Sequence, residues 1–82
     1  MKLPRNVSGS QLAKLLQRYG YAVTRQSGSH LRLTSNSRSV QHHITVPDHA
    51  ALRLGTLAKI LSDVAAYLEM SRGDLEQELF KK

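Results

Sequence analysis

The spacing of the apolar side chains changes twice along this chain, and this limits the folds that it can adopt. Near the N-terminus they recur three and four residues apart, as on one face of a helix, at Leu12, Leu15, Leu16 and Tyr19. In the middle they alternate with polar residues, as in strands that bury one face. Helical spacing then returns at Leu57, Ile60, Leu61, Val64 and Leu68. The pattern predicts an α+β fold.

The length of the chain allows one small core. A chain of 82 residues without cysteine has neither disulfide bridges nor a thiolate zinc site, so we expect a single domain, residues 1–82, stabilised by apolar burial. No apolar run approaches the roughly 20 residues of a membrane span, and the N-terminus lacks the apolar segment of a signal peptide. We therefore expect a cytoplasmic protein without membrane contact.

Helix ends are marked by capping residues. Ser8 and Gln11 have the spacing of a capping box, and Gly20 suits the position that ends the first helix. A second such pair, Ser71 and Asp74, predicts a short third helix near the C-terminus.

Three segments, residues 21–26, 30–34 and 41–46, have the alternation of strands. Their inward side chains are expected to be Tyr21 and Val23, Leu31 and Leu33, and Ile44 and Val46. A short turn at 27–29 makes the first two a hairpin, and Pro47 is expected to break the ladder. The result is a two-layer fold, with helix, three-stranded antiparallel sheet and helix, and one sheet face open to water. This is the layout of double-stranded-RNA-binding domains.

Positive charge is concentrated in the first half of the chain. Residues 1–47 contain seven Lys and Arg residues and no Asp or Glu, whereas residues 48–82 are close to neutral, and the net charge is +6. Such asymmetry favours a nucleic-acid partner. The alternative interpretation is that the charge serves solubility alone.

The tripeptide Gly28-Ser29-His30 lies where the predicted turn meets the second strand. His30 and Arg32 share the outward face of that strand. An imidazole that exchanges protons near neutral pH, next to a guanidinium, suits chemistry on phosphate. The alternative is an ordinary surface histidine.

The other histidines give no metal site. His42 and His43 are adjacent in a strand and point to opposite faces, and no carboxylate occurs in the first 47 residues. His43 shares the open face with His30 and is a candidate second proton carrier. Gly55 and Thr56 either offer backbone N–H groups to an RNA phosphate or simply start a helix.

Several separated segments, in this order and at this spacing, resemble the HicA family of bacterial toxins over about residues 3–61. They are Ser8-Gly9, Gly20-Tyr21, Arg25 with Gly28-Ser29-His30, Thr45-Val46-Pro47 with His49, and Gly55-Thr56-Leu57 with Ile60-Leu61. The resemblance implies a double-stranded-RNA-binding-domain-like fold and an mRNA interferase that a HicB antitoxin restrains. Its essential histidine corresponds to His30.

The resemblance and the residues together predict a metal-independent endoribonuclease without a cofactor. His30 would transfer a proton to or from the RNA, and Lys14, Arg25, Ser29 and Arg32 would contact it. The alternative is a non-catalytic RNA-binding module of the same fold.

Two features depart from the family pattern. Ser27 stands where members often carry a basic residue, and residues 62–70 continue the last long helix by about one turn.

Overall fold

The structure, a computed structural model, describes residues 3–80 and has the predicted α+β order. Its elements are α1 (Gly9–Leu16) with a following 3₁₀ turn (Gln17–Tyr19), β1 (Tyr21–Ser27), β2 (His30–Ser35), β3 (His42–Pro47), α2 (Leu54–Leu68) and α3 (Arg72–Phe80). The strands form an antiparallel sheet in the order β1-β2-β3. This arrangement is consistent with the double-stranded-RNA-binding layout.

One face of the sheet and the helices bury a common apolar core. Its fully buried members include Leu12, Leu16, Tyr21, Leu33, Val46, Leu57, Leu61, Val64 and Leu75. Complete burial of one such leucine contributes about 1.5–3 kcal/mol. The alternate residues of β2 and β3 lie on the opposite face, where His30, Arg32 and Thr45 are exposed.

The start of α1 lies against the end of β3. The predicted capping box is present, since the Gln11 N–H donates to Ser8 Oγ over 3.0 Å and the Ser8 N–H donates to Gln11 Oε1 over 2.9 Å. A Cβ atom on Gly9 would lie 1.9 Å from the carbonyl oxygen of Pro47. The Gly9 N–H also donates to the carbonyl of His49 over 3.0 Å. Only glycine fits at this contact.

The later helix boundaries agree closely with the capping residues. α2 begins at Leu54, one residue before the predicted start at Gly55. It ends at Leu68 and is capped by Glu69, which has a left-handed φ of 58°. The Asp74 N–H donates to Ser71 Oγ over 3.0 Å, as expected of the residue that caps α3.

One prediction about the strands is wrong, and another differs from the structure by one residue. Val23, expected to be buried, faces the helices opposite Leu33 but is 47% exposed, because it lies on an edge strand that α1 covers incompletely. Pro47, expected to break the ladder, is the last residue of β3 and is the partner of His30. An edge strand tolerates proline because the missing N–H need not serve a further strand.

An aromatic cluster joins the sheet to the last turns of α2. The Tyr21 hydroxyl and His42 Nδ1 are hydrogen-bonded at 2.6 Å, and the His42 ring stacks on Tyr67 with centroids 4.7 Å apart. The Tyr67 hydroxyl accepts the Arg38 N–H over 3.1 Å and donates to the Val40 carbonyl. The extended end of α2 therefore anchors the loop between β2 and β3.

The contact of Gly9 with Pro47 gives a test of how α1 packs against the end of β3. Gly9→Ala should lower the free energy of unfolding by about 1–3 kcal/mol, the usual cost of overpacking, although alanine is the better helix former. Gly55→Ala is the matched control, because nothing lies within 4 Å of a Cβ there in the first turn of α2. Urea denaturation followed by circular dichroism measures both. Equal stability of the two variants would contradict the contact with Pro47.

Burial also gives a pH dependence of stability. It raises the pKa of the Tyr21 phenol above its ordinary value, so the folded state keeps the phenol proton. In the unfolded chain tyrosine ionises near pH 10, so stability is lost as the pH rises above that value. The melting temperature should fall more steeply above about pH 10 for the wild type than for Tyr21→Phe. If the melting temperatures of the two proteins fall in parallel with pH, ionisation of this phenol does not contribute to the pH dependence of stability.

Candidate active site on the open face of the sheet

His30 is held at the start of β2 by its neighbours on both sides. It pairs with Ser27 across the hairpin and with Pro47 of β3. Gly28 opens the two-residue turn with a positive φ of 56°, which favours glycine. The Ser29 carbonyl accepts the Asp48 N–H over 2.6 Å, which ties the turn to the end of β3. The backbone of His30 is thereby fixed while its side chain is exposed.

A β-bulge in β1 decides which side of the sheet Arg25 occupies. Val23 pairs with Leu33 on the helix-facing side, and regular alternation would place Arg25 on that side too. The register shifts between Val23 and Arg25, and Thr24 is the extra residue. Arg25 consequently pairs with Arg32 on the open face.

Five side chains on this face surround a shallow cavity of about 190 Å³. They are Arg25, Ser27, His30, Arg32 and Thr45. The lining combines two guanidinium groups, two hydroxyls and one imidazole, and contains no carboxylate. Such a set is suited to a phosphate group, which guanidinium groups bind through charge-assisted hydrogen bonds. The structure thus brings together His30, Arg25 and Arg32, three of the residues that the sequence predicts for the site.

Lys14 and Ser29 are placed differently from these three. Lys14 lies on α1, where it lines a groove with Val23, Leu31 and Asp48 on the helix side of the hairpin. Ser29 lies in the turn directly before His30 and does not line the cavity. The RNA contacts that we expect of Lys14 and Ser29 stay predictions.

His43 shares the open face with His30 but is not its neighbour. It pairs with Thr34, four residues along β2 from His30, which corresponds to about 13 Å at 3.3 Å per residue. His43 Nδ1 and Thr34 Oγ1 are hydrogen-bonded at 2.8 Å. His43 does not line the His30 cavity, and its role as a second proton carrier stays a prediction.

The beginning of α2 lies beside the same edge of the sheet. Gly55 and Thr56 occupy its first turn. Thr56, Lys59 and His43 line a second groove, which meets the His30 cavity at Thr45. The candidate phosphate contact at Gly55 and Thr56 is thus close to the cavity without being part of it.

Two lining residues, Ser27 and Thr45, are absent from the predicted set. Thr45 alternates with Ile44 and Val46, so the sequence places it on the open face, but only the pairing of β3 with β2 puts it opposite Arg32. Ser27 pairs with His30, so its hydroxyl lies in the cavity beside the imidazole.

Neither a metal cluster nor a membrane-spanning helix is found in the part of the chain that the structure describes. Within residues 3–80, no three His, Asp or Glu side chains are grouped so that they could hold a metal ion. In the same range, no helix is both long and apolar enough to cross a bilayer.

Comparison with known proteins identifies a family. A family model described as the HicA toxin of bacterial toxin–antitoxin systems matches residues 9–65, more than half of the chain. No curated protein and no solved structure is matched. The matched region runs from the first residue of α1 through the whole sheet into α2, and so includes every side chain that lines the His30 cavity. The resemblance carried by Gly28-Ser29-His30 and the other segments is confirmed: the chain belongs to the HicA family of toxins of bacterial toxin–antitoxin systems.

Proposed function

We propose that this toxin is a metal-independent endoribonuclease that cleaves mRNA, with His30 as its proton-transfer residue. The observation that carries the proposal is the cavity in which an exposed imidazole lies with two arginines and without a carboxylate. The arginines supply the positive charge that a metal ion would otherwise supply to a phosphodiester.

The cleavage step follows from the chemistry of RNA. Neutral His30 takes the proton of a ribose 2′-OH, and the 2′-oxygen attacks the adjacent phosphorus. Arg25 and Arg32 stabilise the additional negative charge of the phosphorane. The bond to the 5′-oxygen breaks, and that oxygen takes a proton from the imidazolium or from water. The products are a 2′,3′-cyclic phosphate and a 5′-OH, and DNA, which lacks the 2′-OH, is not cleaved.

Of the side-chain types that line the cavity, imidazole is the one suited to general acid–base catalysis near neutral pH. Arginine stays protonated in proteins, and the hydroxyls of Ser27 and Thr45 do not ionise in this range. His30 therefore serves as the base, and the imidazolium that forms can return the proton to the leaving oxygen.

A toxin–antitoxin family implies an antitoxin partner. We place a HicB-type antitoxin over the open face, where its carboxylates would lie near Arg25 and Arg32 and exclude RNA. The positive first half of the chain would speed this association. Since mRNA is located in the cytoplasm, we expect the toxin and its partner to act there.

The alternative is a non-catalytic RNA-binding module. It would use the same positive surface and the same two-layer fold. It gives no role, however, to an imidazole that the Gly28–Ser29 turn holds exposed in the same cavity as two arginines.

His30→Ala should lower the rate of RNA cleavage by about 10²–10⁴-fold, the usual effect of removing a proton-transfer residue. An exposed side chain contributes little to the core, so the melting temperature should not change. His49→Ala is the matched control, because His49 is also exposed and only its carbonyl is used, by Gly9. Cleavage of a labelled RNA in the presence of EDTA is the measurement. Equal rates for the folded variant and the wild type would reject the catalytic role.

Expression in cells separates the two functions. The wild type alone should stop growth, whereas His30→Ala and co-expression of the antitoxin should each restore it. A wild-type chain that binds RNA tightly but leaves it intact would instead favour the binding module.

The salt dependence of RNA affinity tests the phosphate contacts. Measured on the His30→Ala background, Arg25→Gln and Arg32→Gln should each lower the slope of log affinity against log salt by about 0.7–0.9. Arg38→Gln is the control, because Arg38 lies in the loop beyond β2 and pairs with Glu69. If Arg38→Gln lowers the slope as much, the open face is not the RNA surface.

Lys14→Gln in the same assay tests whether RNA also contacts the helix side of the hairpin. A lower slope would confirm the expected contact, and an unchanged slope would contradict it. Lys81 and Lys82, whose charges we expect to matter less than those of Arg25 and Arg32, lie outside the described residues.

A further inference from the structure

A chain of side-chain hydrogen bonds crosses the open face away from the cavity. His43 Nδ1 and Thr34 Oγ1 are 2.8 Å apart, and Thr34 Oγ1 and Thr24 Oγ1 are also 2.8 Å apart. Thr24 Oγ1 then donates to the Arg32 carbonyl over 3.4 Å. In one consistent assignment His43 donates to Thr34, Thr34 donates to Thr24, and Thr24 donates to the Arg32 carbonyl. These hydrogen bonds therefore connect all three strands.

The middle member of this chain is shielded from water. Thr34 belongs to the open face, yet it is only 7% exposed. A buried hydroxyl without a partner costs about 1–3 kcal/mol, and the Thr24 hydroxyl and the His43 ring are the partners of this one. The bonds at Thr34 are thus less open to replacement by water than those of an ordinary surface threonine.

The series of hydrogen bonds ends at the β-bulge of β1. Thr24 is the residue that the register shift adds to β1, and Arg25 follows it directly. The Thr24 hydroxyl bonds both to a side chain of β2 and to the carbonyl of Arg32, the residue that Arg25 faces. Loss of the bulge would restore regular alternation and bring Arg25 to the helix-facing side, beside Val23.

We propose that Thr24 is a positioning residue: its hydrogen bonds to Thr34 and Arg32 fix the bulge that holds Arg25 beside His30. Thr24 does not touch the cavity. It acts on RNA binding through Arg25, and this effect rests on the proposed function, whereas its effect on the register of β1 does not.

The test compares two substitutions of Thr24 and one double variant. Thr24→Val keeps the branched shape and the strand preference but removes the hydroxyl. Thr24→Ser keeps the hydroxyl and should behave as the wild type. The combination of Thr24→Val with Arg25→Gln shows whether the two residues act together, because a residue that acts through Arg25 adds nothing once Arg25 is replaced.

The first measurement is the cross-strand register in the free protein, by nuclear Overhauser effects between backbone protons. In the wild type and Thr24→Ser, residue 25 should face residue 32. In Thr24→Val, contacts between residue 25 and residue 31 should appear. Retention of the wild-type register in a folded Thr24→Val protein would overturn the proposal, whatever the protein does to RNA.

The second measurement is RNA affinity against salt on the His30→Ala background. Thr24→Val should lower the slope by about 0.7, as Arg25→Gln does, and the double variant should lower it no further. Additive effects of the two changes, or a shifted register with an unchanged slope, would overturn the link through Arg25. If no variant binds RNA, the proposed function fails while the register measurement still decides the role of Thr24.

Discussion

The architecture depends on the burial of one face of a small sheet. Leu31 and Leu33 of β2 are buried in the core beneath the helices, and the alternation of a strand then requires His30 and Arg32 to lie on the opposite face. A slip of one residue would expose both leucines and bury both polar side chains. The apolar layer therefore stabilises the fold and also fixes the position of the site.

Most of the fold follows from local patterns. The capping pairs locate the N-termini of α1 and α3. The alternation in β2 and β3 gives the correct faces of His30, Arg32 and Thr45. These predictions succeed because each depends on residues close together in the chain. The close contact of Gly9 with Pro47 is different, because it joins two segments that no local pattern connects.

Local patterns do not predict on which face of the sheet Arg25 lies. Alternation from Tyr21 places this side chain toward the helices, and only the extra residue Thr24 brings it to the open face. A bulge is a property of two paired strands, so it leaves no periodic signal in one of them. The exposure of Val23 has a related cause, since it depends on how far α1 extends over an edge strand.

The bulge has a second consequence, for contacts between copies of the chain. β1 is an edge strand in which every residue after Tyr21 is exposed, and an exposed, regular edge is a template for pairing with another strand. An irregular edge that carries a charged residue resists such pairing, because its backbone groups no longer match those of a straight partner. The bulge that brings Arg25 to the cavity thus also disfavours the pairing of β1 with the β1 edge of another copy of the toxin.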